Sequence, residues 1–177
     1  MRTILLFAAV MTINTIFGQD EKRSNFFGIN PGVTVEPYYE SGELDINVLP
    51  IVYQRSFTNR LDLRLTSILN YGVRQGDDRL SHFGLQLAAP VFFKKKEDKV
   101  ALSKGFFIAP ILGLTRNNEA SHTNIGVHIE PGYNILFENK FALSIGLQFG
   151  GTYFLNDSEA NHWGNHFGVK IIFGKWF

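Results

Sequence analysis

From Phe141 to Tyr153 the chain reads FALSIGLQFGGTY. Phe141, Leu143, Ile145, Leu147, Phe149 and Tyr153 fall on one face, and Ala142, Ser144, Gly146, Gln148, Gly150 and Thr152 on the other. A repeat of two residues is the repeat of a strand, whose successive side chains point to opposite sides. The same alternation sets Leu61, Leu63, Leu65, Leu69, Tyr71 and Val73 against Asp62, Arg64, Thr66, Asn70 and Gly72. It also sets Ile125, Val127, Ile129, Tyr133, Ile135 and Phe137 against Gly126, His128, Glu130, Gly132 and Asn134. Helical periodicity is missing from Gln19 onward. The pattern predicts eight strands, at about 25–40, 44–57, 61–74, 80–93, 105–116, 122–137, 140–154 and 163–176.

The connections are short and rich in turn formers, for example QGDD, NNEAS and ENK. Each strand can therefore pair antiparallel with the next. Eight such strands close naturally into an up-and-down barrel, which removes the exposed edges. The expected fold is all-β: an eight-stranded antiparallel up-and-down transmembrane β-barrel, built from residues 19–177. Residues 1–18 read as a secretory signal peptide, with a basic head at Arg2, the apolar run Ile4–Val10 and a cleavage site after Gly18.

Alternation alone leaves open which face is outside. A soluble lipocalin-like carrier would turn its apolar face inward around a ligand, and a membrane barrel would turn it toward lipid. The polar face favours the second arrangement. It carries charges of both signs at mid-strand, Glu36, Asp45, Asp62, Arg64, Glu130 and Lys170, together with His128. Within a narrow barrel these can pair, provided their hydrogen bonding is complete. A lumen network of Glu36, Asp62, Arg64, His128, Glu130 and Lys170 is expected, filling the interior so that no open pore remains. Aromatic residues crowd the strand ends, where interfacial girdles belong: Phe26, Phe27, Tyr38, Tyr39, Tyr71, Phe92, Phe93, Phe106, Phe107, Tyr153, Trp163 and Trp176.

All six prolines, Pro31, Pro37, Pro50, Pro90, Pro110 and Pro131, lie inside predicted strands, where proline removes a ladder donor. A belt of bulges or irregular pairing follows. In the second strand the apolar positions Ile46 and Val48 change parity to Ile51 and Tyr53 across Pro50, as a one-residue bulge would produce.

The last segment, FGVKIIFGKWF, places Phe167, Val169, Ile171, Phe173 and Phe177 on one face and ends the chain on an aromatic. It resembles the C-terminal strand by which outer-membrane barrels are recognised for assembly. Phe173 and Phe177 are then the assembly signal, and Lys175 departs from the pattern, sharing their face. More broadly, NIGVHIEPGYNILFENKFALSIGLQFG, with Pro131-Gly132-Tyr133, the turn Glu138-Asn139-Lys140 and the alternating Phe141–Phe149, is similar to segments of the small outer-membrane β-barrel proteins numerous in Bacteroidota. The resemblance implies a cell outer-membrane location with both termini periplasmic. Its implied partners are outer-membrane lipid, the barrel-assembly machinery acting through the C-terminal strand, and an unknown protein. It supplies no activity.

Composition narrows the chemistry. The net charge of +1 gives no field that would recruit nucleic acid, and the absence of cysteine excludes disulfides and thiolate metal sites. Seventeen Phe and seventeen Gly with a mean hydropathy near zero fit polarity that alternates along the chain. Five histidines, His82, His122, His128, His162 and His166, share the inward parity toward the end expected to be extracellular. They form a candidate metal set for zinc, copper or nickel, against the plainer role of lumen hydrogen-bonding groups. His162 and His166 cannot share one ion, since residues four apart on a strand are separated by ~13 Å. Ser81 neighbours His82, but adjacent strand residues point to opposite faces, so no nucleophile–base pair is expected there. No enzymatic role and no cofactor are indicated. The basic run Lys94-Lys95-Lys96-Glu97-Asp98-Lys99, with Lys104, reads as a solvated periplasmic turn.

Overall fold

A computed structural model describes residues 24–34, 41–76, 79–95, 102–119, 121–157 and 160–177. Residues 1–18, expected as a signal peptide, together with Glu36, Pro37, Tyr38, Tyr39 and most of the lysine run, lie outside them. The strands are β1 (Asn25–Ile29), β2 (Val33–Thr34), β3 (Leu44–Asn47), β4 (Ile51–Ser56), β5 (Asp62–Val73), β6 (Arg79–Ala88), β7 (Val91–Phe92), β8 (Gly105–Asn117), β9 (His122–Leu136), β10 (Phe141–Asn156) and β11 (His162–Trp176). They form one antiparallel up-and-down barrel of eight staves. β1 with β2, β3 with β4, and β6 with β7 each make one interrupted stave. β1 pairs with β11 and β5 pairs with β6, which closes the ring.

The three interruptions fall at Pro31, Pro50 and Pro90, as the missing proline N–H requires. The register records the bulge at Pro50 directly. Asn47 lies opposite Asn70, so an unbroken ladder would set Val52 opposite Leu65, yet Val52 faces Thr66. The extra residue moves the inward parity from Asp45 to Val52, Gln54 and Ser56, all buried, while Ile46, Val48, Leu49 and Ile51 stay outside. Pro110 and Pro131 sit within continuous strands and face outward. Beside Pro131 the recorded β9–β10 partners pass from Gly132–Gly146 directly to Ile129–Phe149 in unchanged register.

The two faces are now assigned. Leu63, Leu65, Leu85, Leu87, Leu112, Leu114, Val127, Ile129, Ile145, Leu147, Val169 and Ile171 are all exposed on the outer wall. Arg64, Glu130, Asp62, Gln148 and Lys170 are buried inside. The apolar-lined cavity of a lipocalin-like carrier is therefore not what this barrel contains.

One group of aromatic expectations needs correction. Phe26, Phe92, Phe107 and Trp176 do not belong to an outer girdle; they point inward and are nearly fully buried. Adjacent aromatics split across the wall, leaving Phe27, Phe93, Phe106 and Phe177 outside. The inward members close the end of the barrel that carries Asn25 and Phe177, which are hydrogen-bonded to each other. There Phe26, Val52, Leu102, Ala142, Ile172 and Trp176 form one cluster, and Ala88, Phe92, Phe107, Ala109 and Ile111 a second. Leu102 and Ser103 also correct the reading of their connection as a wholly solvated turn. Both are buried, with the Ser103 carbonyl accepting from Asn134 Nδ2 at 2.5 Å, whereas Lys104 remains exposed.

Deleting Leu49 should prevent folding. Removing the bulge residue forces either Asp45 or the Val52–Gln54–Ser56 set onto the apolar wall. We expect loss of the β-type circular dichroism signal after refolding, and a deletion variant with native protease resistance would show that the bulge does not set the register.

Candidate functional site: the polar lumen

Above the aromatic plug the interior is built in two polar tiers. The lower tier is an interconnected set of buried side chains. Arg64 Nη2 donates to Glu130 Oε1 at 2.5 Å, and both residues are 1% exposed. The other carboxylate oxygen of Glu130 accepts from Gln148 Nε2 at 2.8 Å. Lys170 donates to Gln86 Oε1 and, at 3.5 Å, to Thr66 Oγ1. Arg64 also lies over the Phe107 ring, 5.7 Å from its centroid, where the plug meets the polar tier. Asp62 lies nearer the plug, bonded by Gln54 Nε2 at 2.6 Å and by the Ser103 hydroxyl.

Glycine makes room for these groups. A Cβ on Gly146 would stand 2.7 Å from Glu130 Cγ, so this diagonal position on the neighbouring strand must be bare for the Glu130 side chain to lie over it.

The upper tier is a cavity of about 250 Å³ at the end away from the termini. His82, His122, His128 and His166 line it, and His162 is not among its lining residues. His128 and His166 stack at 4.1 Å between centroids, and His128 Nε2 lies 3.4 Å from Thr152 Oγ1. His166 Nε2 reaches Gln148 Oε1 at 3.4 Å, which joins the two tiers. His162 stacks on Phe154.

Of the candidate metal set His82, His122, His128, His162 and His166, the structure brings His128 and His166 into ring contact. Among the described residues no three His, Asp or Glu side chains come together as a metal site. The inward histidines come from β6, β9 and β11, with His122 and His128 both on β9, and their recorded partners are hydroxyls, an amide, one another and, for His82, the Asp45 carboxylate.

Ser81 corrects a second expectation. The β5–β6 register shifts between Asn70 and Tyr71, so Asn70 faces His82 while Tyr71 faces Leu80. Ser81 is the extra residue, and the bulge turns it inward together with His82. Ser81 Oγ donates to Asp45 Oδ2 at 2.7 Å, and His82 Nδ1 lies 3.1 Å from the same oxygen. Residues of the Ser–His–Asp type thus meet, but Ser81 is 0% exposed and its hydroxyl is committed to the carboxylate. That arrangement locks the rim and offers no reachable nucleophile. Arg74 extends the lock, donating to Asp45 at 2.8 Å and to Glu119 at 2.7 Å. Across the rim Arg116 holds Asp157 with paired hydrogen bonds that keep its carboxyl below the usual carboxylate range.

Of the expected lumen network, Arg64, Glu130 and Lys170 share the lower tier, Asp62 belongs beside the plug and His128 beside the cavity. Glu36 is outside the described residues. The residues that complete the tiers are neutral: Gln54, Thr66, Gln86, Ser103 and Gln148. Thr66 and Gln148 were legible from parity, since they alternate with the apolar positions of their strands. Ser103 carried no signal, because it reaches the lumen from a connection.

No family model, no curated protein and no solved structure matches this chain.

Glu130→Gln should destabilise the barrel by about 3–5 kcal/mol, because it leaves two buried cations without their carboxylate. The double variant Arg64→Met with Glu130→Gln should recover part of that loss. Urea midpoints of the three proteins check the order, and a double variant weaker than the single one would contradict it.

Proposed function

We propose that this chain is an integral outer-membrane β-barrel protein with a filled lumen, both termini periplasmic, and a structural or interaction role in place of a pore. One observation carries the reading: the apolar face is outward on every stave while paired charges occupy the interior. A contiguous apolar wall of this extent is untenable in water, where monomeric proteins rarely expose more than a few hundred Å² in one patch. In lipid it is the required surface, and closure satisfies the backbone. β9, β10 and β11, with 15, 16 and 15 residues, exceed the ~9–11 that a tilted crossing needs.

Further support comes from the outer aromatics. Phe27 with Tyr53 and Phe106 with Tyr133 pack at the terminal end, and Tyr153 with Trp163 at the other. Phe173 and Phe177 are exposed, as a C-terminal assembly signal read by the barrel-assembly machinery must be. Lys175 fits beside them: its ammonium lies 5.7 Å from the Phe141 ring and 6.0 Å from the Phe177 ring, and its stem covers apolar wall. On this reading the chain is similar to the small outer-membrane barrels of Bacteroidota, lipid is its solvent, and its role is structural or one of interaction with an unidentified protein. The reading is non-catalytic, resting on the burial of Ser81.

The test combines fractionation with heat-modifiability on gels and conductance in planar bilayers. An outer-membrane protein whose band shifts on boiling and which opens no channel supports the proposal. A soluble protein without the shift would overturn its location, and steady conductance would overturn the filled lumen.

A further inference from the structure

We infer that the far-end cavity is a binding site for a neutral, polyhydroxylated small molecule of monosaccharide size. The lining decides the class. Asn70, Asn124, Asn165, Thr115, Thr152 and the imidazoles present groups that both donate and accept, as sugar hydroxyls do. Among the described residues no Lys or Arg lines the cavity, which disfavours an anion. Among the described residues its one carboxylate, Asp45, is engaged by Arg74, Ser81 and His82, which disfavours a cation. Phe154 supplies an apolar wall of the kind that packs against the C–H face of a sugar ring.

Two lining residues keep unused hydrogen-bonding capacity. His128 is 8% exposed and its Nδ1 has no partner, and Asn124 Oδ1 is buried without one. Buried polar atoms are ordinarily satisfied, so a small turn of either side chain toward the cavity would offer that capacity to a bound hydroxyl. The volume of about 250 Å³ lies just below the range of drug-sized pockets, which begins at ~300 Å³, and suits one sugar ring.

Gly113 provides the decisive variant. It lines the cavity, and a Cβ placed there comes no closer than 4.0 Å to Gly126, so the backbone accepts a side chain at this position and Gly113→Leu extends into the space. The experiment is saturation-transfer NMR on the mature barrel in amine-oxide micelles, which carry no sugar headgroup. The probes are glucose, galactose, mannose and N-acetylglucosamine, with glucuronate as an anionic control. We expect saturable transfer to at least one neutral sugar, its loss in Gly113→Leu, and roughly tenfold weaker binding in Asn124→Ala, one hydrogen bond's worth. Both variants should keep the heat shift of the folded barrel. Transfer to none of the neutral sugars, transfer that survives Gly113→Leu, or saturation by glucuronate alone would each overturn the inference. It goes beyond the membrane reading and is separable from it, since the same titration runs in plain buffer if the protein proves soluble.

Discussion

The ion pair between Arg64 and Glu130 sits at the point where every other requirement of this barrel meets. Both side chains are 1% exposed, inside a ring of eight staves too narrow for bulk water. A charge withdrawn from water this completely is tolerable only with a partner at contact and its remaining hydrogen-bonding positions occupied. Glu130 meets that condition through Gln148, and the neighbouring ammonium of Lys170 meets much of it through Gln86 and Thr66. Polar residues must then hold the inward parity on several staves at once. The apolar residues are left with the outer wall.

The ends of the lumen follow from the same constraint. Toward the termini the inward positions turn aromatic, and Phe26, Phe92, Phe107 and Trp176 close the tube beneath the charges. Toward the other end they become amides, hydroxyls and imidazoles around a cavity. The rim above is fastened by Arg74 between Asp45 and Glu119, and by Arg116 with Asp157. One tube thus carries an apolar stopper, a charged middle and a polar cup. Its wall is broken or irregularly paired where proline removes a donor.

Much of this was legible in the sequence because strand alternation is a strict rule. The eight staves, the inward Asp62, Arg64, Glu130 and Lys170, and the parity change at Pro50 can all be read from polarity and proline alone. What was not legible depends on events without a local signature. The bulge that turns Ser81 inward beside His82 lies in RLSHFG, with neither proline nor glycine at the shift, and is set by pairing across to β5. In Phe26–Phe27, Phe92–Phe93 and Phe106–Phe107 alternation sends one ring in and one out, whereas the expected outer girdle counted both rings of each. The histidines share the expected parity. Shared parity is not shared position, however: His128 and His166 stack, but His82, His122 and His162 stand elsewhere along the lumen wall, and no group of three metal ligands forms among the described residues.

The most direct measurement is collisional accessibility of spin labels attached to single introduced cysteines, which the cysteine-free chain permits without background. Labels at Leu65, Leu112, Val127, Leu147 and Val169 report the outer wall, and labels at Asn124 and Thr152 the cavity. In reconstituted bilayers the account predicts that the wall labels collide with dissolved oxygen and hardly with a water-soluble nickel complex. The cavity labels should show the opposite preference. Wall labels that meet the nickel complex freely would contradict the claim that the apolar face is turned to lipid.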